Sequence, residues 1–299
     1  MRSITAVTLF LFTVLGATAS HAGYIWTTLD YPSATHGTTL NGIDGTNMVG
    51  SYSDSGGTHG TLYDGSTWTT LDHPGATDTE LHGIDGANMV GKYWDSGGNY
   101  HGTLYDGSTW TTLDHPSGTN GTILYGIDGA NMVGSYTDSG GTHGTLYDGS
   151  TWATLDHPGA TVTELQGIDG DNMVGYYTDS GGTHGTLYDG STWATLDFPG
   201  ATDTYLRGID GANMVGSYTD SSGTPHGTLY DGSTWHTLDF PGAVSTQMFG
   251  IDGDNIVGFY WDGGSNIYGF MVTAVPEPAA ILLALLALAL LPRRRRFRQ

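Results

Sequence analysis

Short stretches of alternating apolar and polar residues run through positions 23–274, separated by Asp-Gly, Ser-Gly and Gly-Gly pairs. A period of two over so few residues predicts strands, and the intervening pairs predict reversals of the chain. Positions 80–113 show the arrangement in full, with strands expected at 80–84, 88–93, 101–105 and 109–113. Asp85-Gly86 and Asp106-Gly107 occupy the first and third gaps, and Asp-Gly tolerates the positive φ of a tight hairpin. Asp95-Ser96-Gly97-Gly98 supplies the middle turn. Leu113-Asp114-His115-Pro116 opens a longer loop, because proline pre-sets φ for a turn. The unit is a four-stranded antiparallel meander joined to its successor by a crossing loop.

That unit is repeated. Trp26, Trp68, Trp110, Trp152, Trp193 and Trp235 are spaced by 42, 42, 42, 41 and 42 residues. G-I-D begins at Gly42, Gly83, Gly126, Gly167, Gly208 and Gly250, and a [MI]-V-G triplet ends at Gly50, Gly91, Gly134, Gly175, Gly216 and Gly258. H-G-T-L-Y-D-G begins at His59, His101, His143, His184 and His226, and its sixth copy has become Tyr268-Gly269-Phe270-Met271. Four strands in a period of about 42 residues match one blade of a β-propeller, so the expectation is an all-β, six-bladed propeller over residues 23–274. A parallel β-helix is the rival, but it does not reverse the chain through two-residue Asp-Gly loops. The strand count also predicts how the ring closes. Positions 24–29 read as a fourth-type strand without a blade, and 268–273 as a third-type strand without a partner. Pairing them completes the sixth blade and covers two edges that would otherwise template aggregation.

Composition narrows the chemistry. The chain has 299 residues, 49 of them glycine, no cysteine, and 8 Lys+Arg against 30 Asp+Glu, a net charge of −22. Without cysteine there are no disulfides, thiolate zinc sites, iron-sulfur clusters or cysteine nucleophiles. Too few cations exist for a face that neutralises phosphates, which excludes nucleic-acid partners. Six of the eight cations are Arg2, Arg293, Arg294, Arg295, Arg296 and Arg298, so residues 23–274 hold only Lys92 and Arg207 against 29 acids. Most of those acids are turn aspartates. Asp169 to Asn172 and Asp252 to Asn255 are fragments of a calcium ligand set, consistent with weak surface binding of calcium at most, and no other cofactor is expected.

The two ends read as addresses. Positions 1–22 join one cation, an apolar run and small residues before the first strand, the three-part pattern of a secretory signal peptide. At the other end Val275-Pro276-Glu277-Pro278 precedes thirteen apolar residues, Pro292 and four arginines, Arg293 to Arg296. As a helix that run would rise ~20 Å, less than the ~30 Å hydrocarbon core, and the arginine cap would stay cytoplasmic. A short C-terminal transmembrane helix over part of 275–299 is the expectation. The order of V-P-E-P, apolar run and arginine cluster resembles the PEP-CTERM sorting signal. The resemblance implies an exosortase-type processing enzyme as partner, transient contact with the inner membrane, and delivery to the cell surface or an extracellular polysaccharide matrix.

The 42-residue unit resembles bacterial extracellular repeats named after a His-Ala-Phe signature, with His-Gly-Thr standing here in its place. That resemblance implies a repeat architecture and a surface location, and carries over no catalytic residue.

Candidate chemistry lies where the copies disagree. The repeated histidines and the aspartates of Y-D-G and G-I-D supply one role many times, whereas a catalytic site needs different groups in different roles. They read as strand and turn residues, with no metal site. Immediately before each G-I-D, by contrast, stand Asn41, His82, Tyr125, Gln166, Arg207 and Phe249. Two residues earlier stand Thr39, Glu80, Ile123, Glu164, Tyr205 and Gln247. A period of two places both columns on one face of the first strand, innermost in a propeller. Such a ring has the hydrogen-bonding and stacking groups of a sugar or small polar ligand site. A third varying column, Ser51, Lys92, Ser135, Tyr176, Ser217 and Phe259, with Trp94 and Trp261 beyond it, is expected to form a side-surface aromatic patch. The resulting expectation is a non-catalytic exported repeat protein that binds polysaccharide or a surface protein. The alternative is an exported hydrolase or lyase working through His82, Glu80, Arg207 and Tyr205.

Overall fold

The computed structural model describes residues 23–275, which form 24 β-strands and no helix. Each repeat makes a meander of the expected kind. In the second, the strands are β6 (Asp78–Asp85), β7 (Asn88–Trp94), β8 (Tyr100–Tyr105) and β9 (Trp110–Thr112), each antiparallel to the next. The inner strand is longer than the alternation suggested, and the outer one is only three residues. Five blades are continuous in sequence. In the sixth, β22 (Ser245–Asp252), β23 (Asn255–Trp261) and β24 (Ile267–Val275) are completed by β1 (Gly23–Thr28), which pairs with β24. Val275, expected to open the sorting segment, is the last residue of β24. The expectations for residues 1–22 and 276–299 lie outside the described residues; among the described residues no helix is long and apolar enough to cross a membrane.

The hydrophobic core lies between blades. On the inner strand of the first blade Leu40 and Ile43, with Met48 of the second strand, pack against Val257 of the sixth blade. Val49, on the opposite face, packs against Leu81, Ile84 and Met89 of the second blade. The same four-residue set recurs at the next three junctions. Every copy of the leucine, or Met248 in the sixth, is fully buried. Such a blade cannot stand alone, because each of its faces is half of someone else's core.

Two rings of contacts encircle the axis, and both involve G-I-D. A side chain at Gly42 would place its Cβ 2.5 Å from the carbonyl oxygen of His82; the equivalent distance at Gly250 is 3.0 Å, to Asn41 of the first blade. Only glycine lets neighbouring inner strands approach this closely. The aspartates form the second ring. Asp44 accepts a hydrogen bond from the Gly86 N–H of the next blade at 2.7 Å, and the series continues through Asp85, Asp128, Asp169 and Asp210. Asp252 closes it by accepting from Gly45 N–H at 2.6 Å. These aspartates are thus not the turn residues the sequence implied. The two-residue loop is Gly45-Thr46, and only the glycine has positive φ, at 59°. That is the type II′ pattern rather than I′, and it releases the aspartate to clasp the next blade. Asp169 and Asp252, the calcium-like fragments, are both committed to this ring.

Candidate functional site on the ring axis

Asn41, His82, Tyr125, Gln166, Arg207 and Phe249, one from each blade, line a single cavity together with the Gly-Ile backbone that follows each of them. Its volume is about 80 Å³. The six side chains share a local cause that the alternation did not reveal. In every blade the register between inner and second strands shifts at this residue, between Leu40 and Gly42 in the first and at the equivalent step in the others. Each is therefore a β-bulge residue, unpaired on its ladder and turned by the locally increased twist.

The column two residues earlier backs this ring. Glu80 lies opposite Lys92, Glu164 opposite Tyr176, Tyr205 opposite Ser217 and Gln247 opposite Phe259. The third varying column therefore belongs to the same sheet face as the axial ring, and the side-surface patch expected from sequence does not form. Cross-strand neighbours on one face stand close enough to interact, and here they do. Lys92 Nζ is 3.2 Å from a Glu80 carboxylate oxygen and 4.5 Å from the Trp94 ring centre. Phe259 stacks beside Phe249 at 5.6 Å, and Tyr176 meets Tyr205 edge-on at 5.0 Å. Trp94 and Trp261 end this face beside the second turns; Trp261 is 38% exposed and donates its indole N–H to the Gly264 carbonyl at 2.8 Å.

The ring is wired unevenly. One oxygen of Glu164 accepts from the Tyr125 hydroxyl at 3.1 Å and from the Gln166 amide at 3.2 Å. Asn41 donates its amide to the Leu81 carbonyl at 2.8 Å. His82 has no such partner: its Nε2 is buried without a hydrogen bond, and the nearest Glu80 oxygen is 3.8 Å away. Burial, with Lys92 adding to it, pushes the His82 pKa down to about 3, so the imidazole is neutral. Burial and the neighbouring Glu164 raise Tyr125 and Tyr176 above the usual phenol range, so both hydroxyls keep their protons. The Arg207 guanidinium lies over the rings of Phe249 and Tyr205, 4.6 and 5.3 Å from their centres, within cation–π range. One of its nitrogens donates to Ser217 Oγ at 2.7 Å.

The repeated histidines sit elsewhere, at the starts of the third strands. His59 is typical: its Nδ1 is 2.8 Å from Asp72, its Nε2 is 3.4 Å from Asp54, and its ring stacks with Tyr52. A loop residue completes each stack, as Tyr31 does over Tyr52 at 3.7 Å and His73, His115, His157, Phe198 and Phe240 do in later copies. Against the cost of burial, the two carboxylates raise the pKa of His59. Among the described residues no group of three or more His, Asp or Glu is placed to hold a metal ion. A second cavity, of about 290 Å³, opens between the third and fourth blades beside Thr142, His143, Asp156 and Val162. Its His143 and Asp156 are bonded to each other at 2.8 Å.

No protein-family model and no curated protein matches the chain. Solved structures do. It is similar to a putative TolB from Agrobacterium tumefaciens, at 17% identity and a TM-score of 0.56 over 80% of this chain and 90% of that one. It is also similar to the SapL1 lectin, solved with alpha methyl fucoside, at 15% identity and 0.54 over 82% and 98%. A third is the β-propeller domain of the Trilobed protease from Pyrococcus furiosus, at 8% identity and 0.53 over 78% and 79%. At such identities the likeness shows the fold alone, and with the strand pairing it establishes that the described residues are a β-propeller.

Proposed function

We propose that this chain is an exported, non-catalytic repeat protein of the cell surface or extracellular matrix, whose propeller binds polysaccharide at the axial ring. One observation carries the binding site. Residues 23–275 contain two glutamates and two Lys/Arg residues in all, Glu80, Glu164, Lys92 and Arg207, and all four belong to the axial cluster. The first blade builds the same fold with Thr39, Asn41 and Ser51 at the corresponding places, so the fold does not require these charges. The cavity is small, about 80 Å³. It therefore takes one substituent of a saccharide, with the remainder outside. Export, exosortase processing at the V-P-E-P segment and transient membrane contact rest on the sequence patterns of the two ends. A surface protein is the other class of partner that this location would offer.

Glycan-array binding by the purified chain tests the reading. Saturable binding, weakened tenfold or more in Asn41→Ala, supports it; binding unaffected by any axial substitution refutes it. The hydrolase or lyase alternative predicts product formation that disappears in Glu80→Gln or His82→Ala. The wiring disfavours it, because both axial carboxylates already have protein partners and His82 is neutral, leaving no poised acid–base pair.

A further inference from the structure

Arg207 lacks a counter-ion. The other cation of the domain, Lys92, is paired with Glu80, whereas no carboxylate oxygen among the described residues lies within ion-pair distance of the Arg207 guanidinium. Of the five N–H donors a guanidinium carries, the single hydrogen bond to Ser217 uses one. Two aromatic faces hold the group, and they attract a cation without neutralising it. Glu164 is near enough to act through its field, but one of its oxygens is already engaged by Tyr125 and Gln166. The guanidinium is half-buried and lines the open cavity, so its unspent donors are free to take an anion that enters there.

The place for that anion is visible. Arg207 lines the axial cavity, and so does His82, whose Nε2 is the buried nitrogen without a hydrogen bond. A planar fork of donors matches a carboxylate in two parallel bonds. The cavity, of about 80 Å³, is on the scale of a carboxylate with a water. Phe249, stacked on the guanidinium and lining the same cavity, offers an apolar wall beside the charged group.

We infer that the axial cavity receives the carboxylate of an acidic sugar, held bidentately by Arg207, with the rest of the saccharide outside the ring. This inference rests on the axial reading of the preceding section and names the chemical class that site selects. A free carboxylic acid offers the same group, and the probes separate the two sources.

Calorimetric titration of the purified full chain with D-glucuronate, D-glucose and acetate, each at low ionic strength, tests it. Glucuronate is expected to bind, glucose at the same concentrations not to bind, and acetate to bind more weakly and compete with glucuronate. Acetate binding as tightly as glucuronate would overturn the assignment to a sugar. Arg207→Gln should lower glucuronate affinity at least tenfold. Should that variant fail to fold, Arg207→Lys decides: it keeps the charge, loses the planar fork, and should still weaken binding about fivefold. Equal binding of glucose and glucuronate, or glucuronate affinity unchanged within twofold in the variant that folds, overturns the inference. Neutral glycans that bind and are lost in Asn41→Ala, with glucuronate silent, would overturn the carboxylate and keep the axial site. Glucuronate binding that survives both Arg207 and Asn41 substitutions would overturn both.

Discussion

Closure of the ring by β1 has a measurable energetic signature at Trp26. This residue lies 5.1 Å from Phe270 of the last blade and 5.5 Å from Phe240 of the loop that leads into it, ring centre to ring centre. Nearby, Leu29 packs against the Leu40 core and donates its N–H to the Gly269 carbonyl at 2.9 Å. Truncating a fully buried tryptophan costs ~3–5 kcal/mol. Trp26 is only partly buried, so Trp26→Ala should cost about 2 kcal/mol on that scale. For a domain of this size each kcal/mol lowers the melting temperature by ~2–4 °C, giving a fall of about 6 °C. Trp68 is the internal standard. It holds the same position in the first blade and is likewise partly buried, but its blade is continuous in sequence. Differential scanning calorimetry of Trp26→Ala and Trp68→Ala should therefore show comparable shifts. A shift of less than 1 °C for Trp26→Ala beside a full shift for Trp68→Ala would refute closure by the N-terminal strand.

Three further outcomes follow from the two rings and the stacks. Asp128→Ala removes the carboxylate that accepts from Gly170 N–H at 2.7 Å and should cost about 1 kcal/mol. Asp128→Asn keeps an acceptor and should recover part of it, both read from urea midpoints. Gly126→Ala would place a Cβ 2.9 Å from the Gln166 carbonyl oxygen and 3.0 Å from Val133, forcing the inner strands apart at a cost of about 2 kcal/mol. The pH dependence of melting should have two limbs. His59, His101, His143, His184 and His226 have raised pKa values, with paired aspartates acting against burial. Their stabilisation is full below the unfolded pKa near 6.5 and fades as pH rises through the folded values. His73 and His157 are lowered by burial, and each has a buried Nδ1 without a hydrogen bond. They favour the neutral form and lose stability as pH falls below 6.5. Replacing both by Phe, the residue found in the same stack at Phe198 and Phe240, should raise the melting temperature most at acid pH. An unchanged acid limb would contradict this.

Blade number, strand order and the closing seam were legible because they depend on period, and period survives in the sequence as Trp26 to Trp235. The axial column was legible for the same reason, since period two fixes a face whatever the residue. Two things were hidden. The bulge at Asn41 and its equivalents adds one residue to the inner strand without disturbing the apolar pattern, because the glycine that follows contributes no side chain to it. The role of Asp44 was hidden because its partner, Gly86 N–H, is a backbone group 42 residues away. A clasp between identical units leaves the same letters as a local turn. The third varying column failed for a related reason: sequence spacing gave Lys92 and Phe259 a common face but did not say that the second strand's face meets the neighbouring inner strand near the axis.

The division of labour inside each blade bears on why the copies diverge where they do. Leu40, Ile43, Met48 and Val49 have one core position each and two neighbouring blades to satisfy, so a change in one copy must be matched across a junction. Gly42 and Asp44 are tied to the next blade by close approach and by a hydrogen bond. The identity of the bulge residue between Leu40 and Gly42 is less constrained, because its ladder partner is missing and its side chain faces the cavity; the bond from Asn41 to the Leu81 carbonyl belongs to that one copy. Freedom to vary explains difference, but unconstrained variation in a domain with 29 acids and two cations would not concentrate both cations and both glutamates there. Nor would it leave the guanidinium of Arg207 between two aromatic rings without a carboxylate partner. Partial burial of that charge works against folding, and an anionic group entering the ring offsets it.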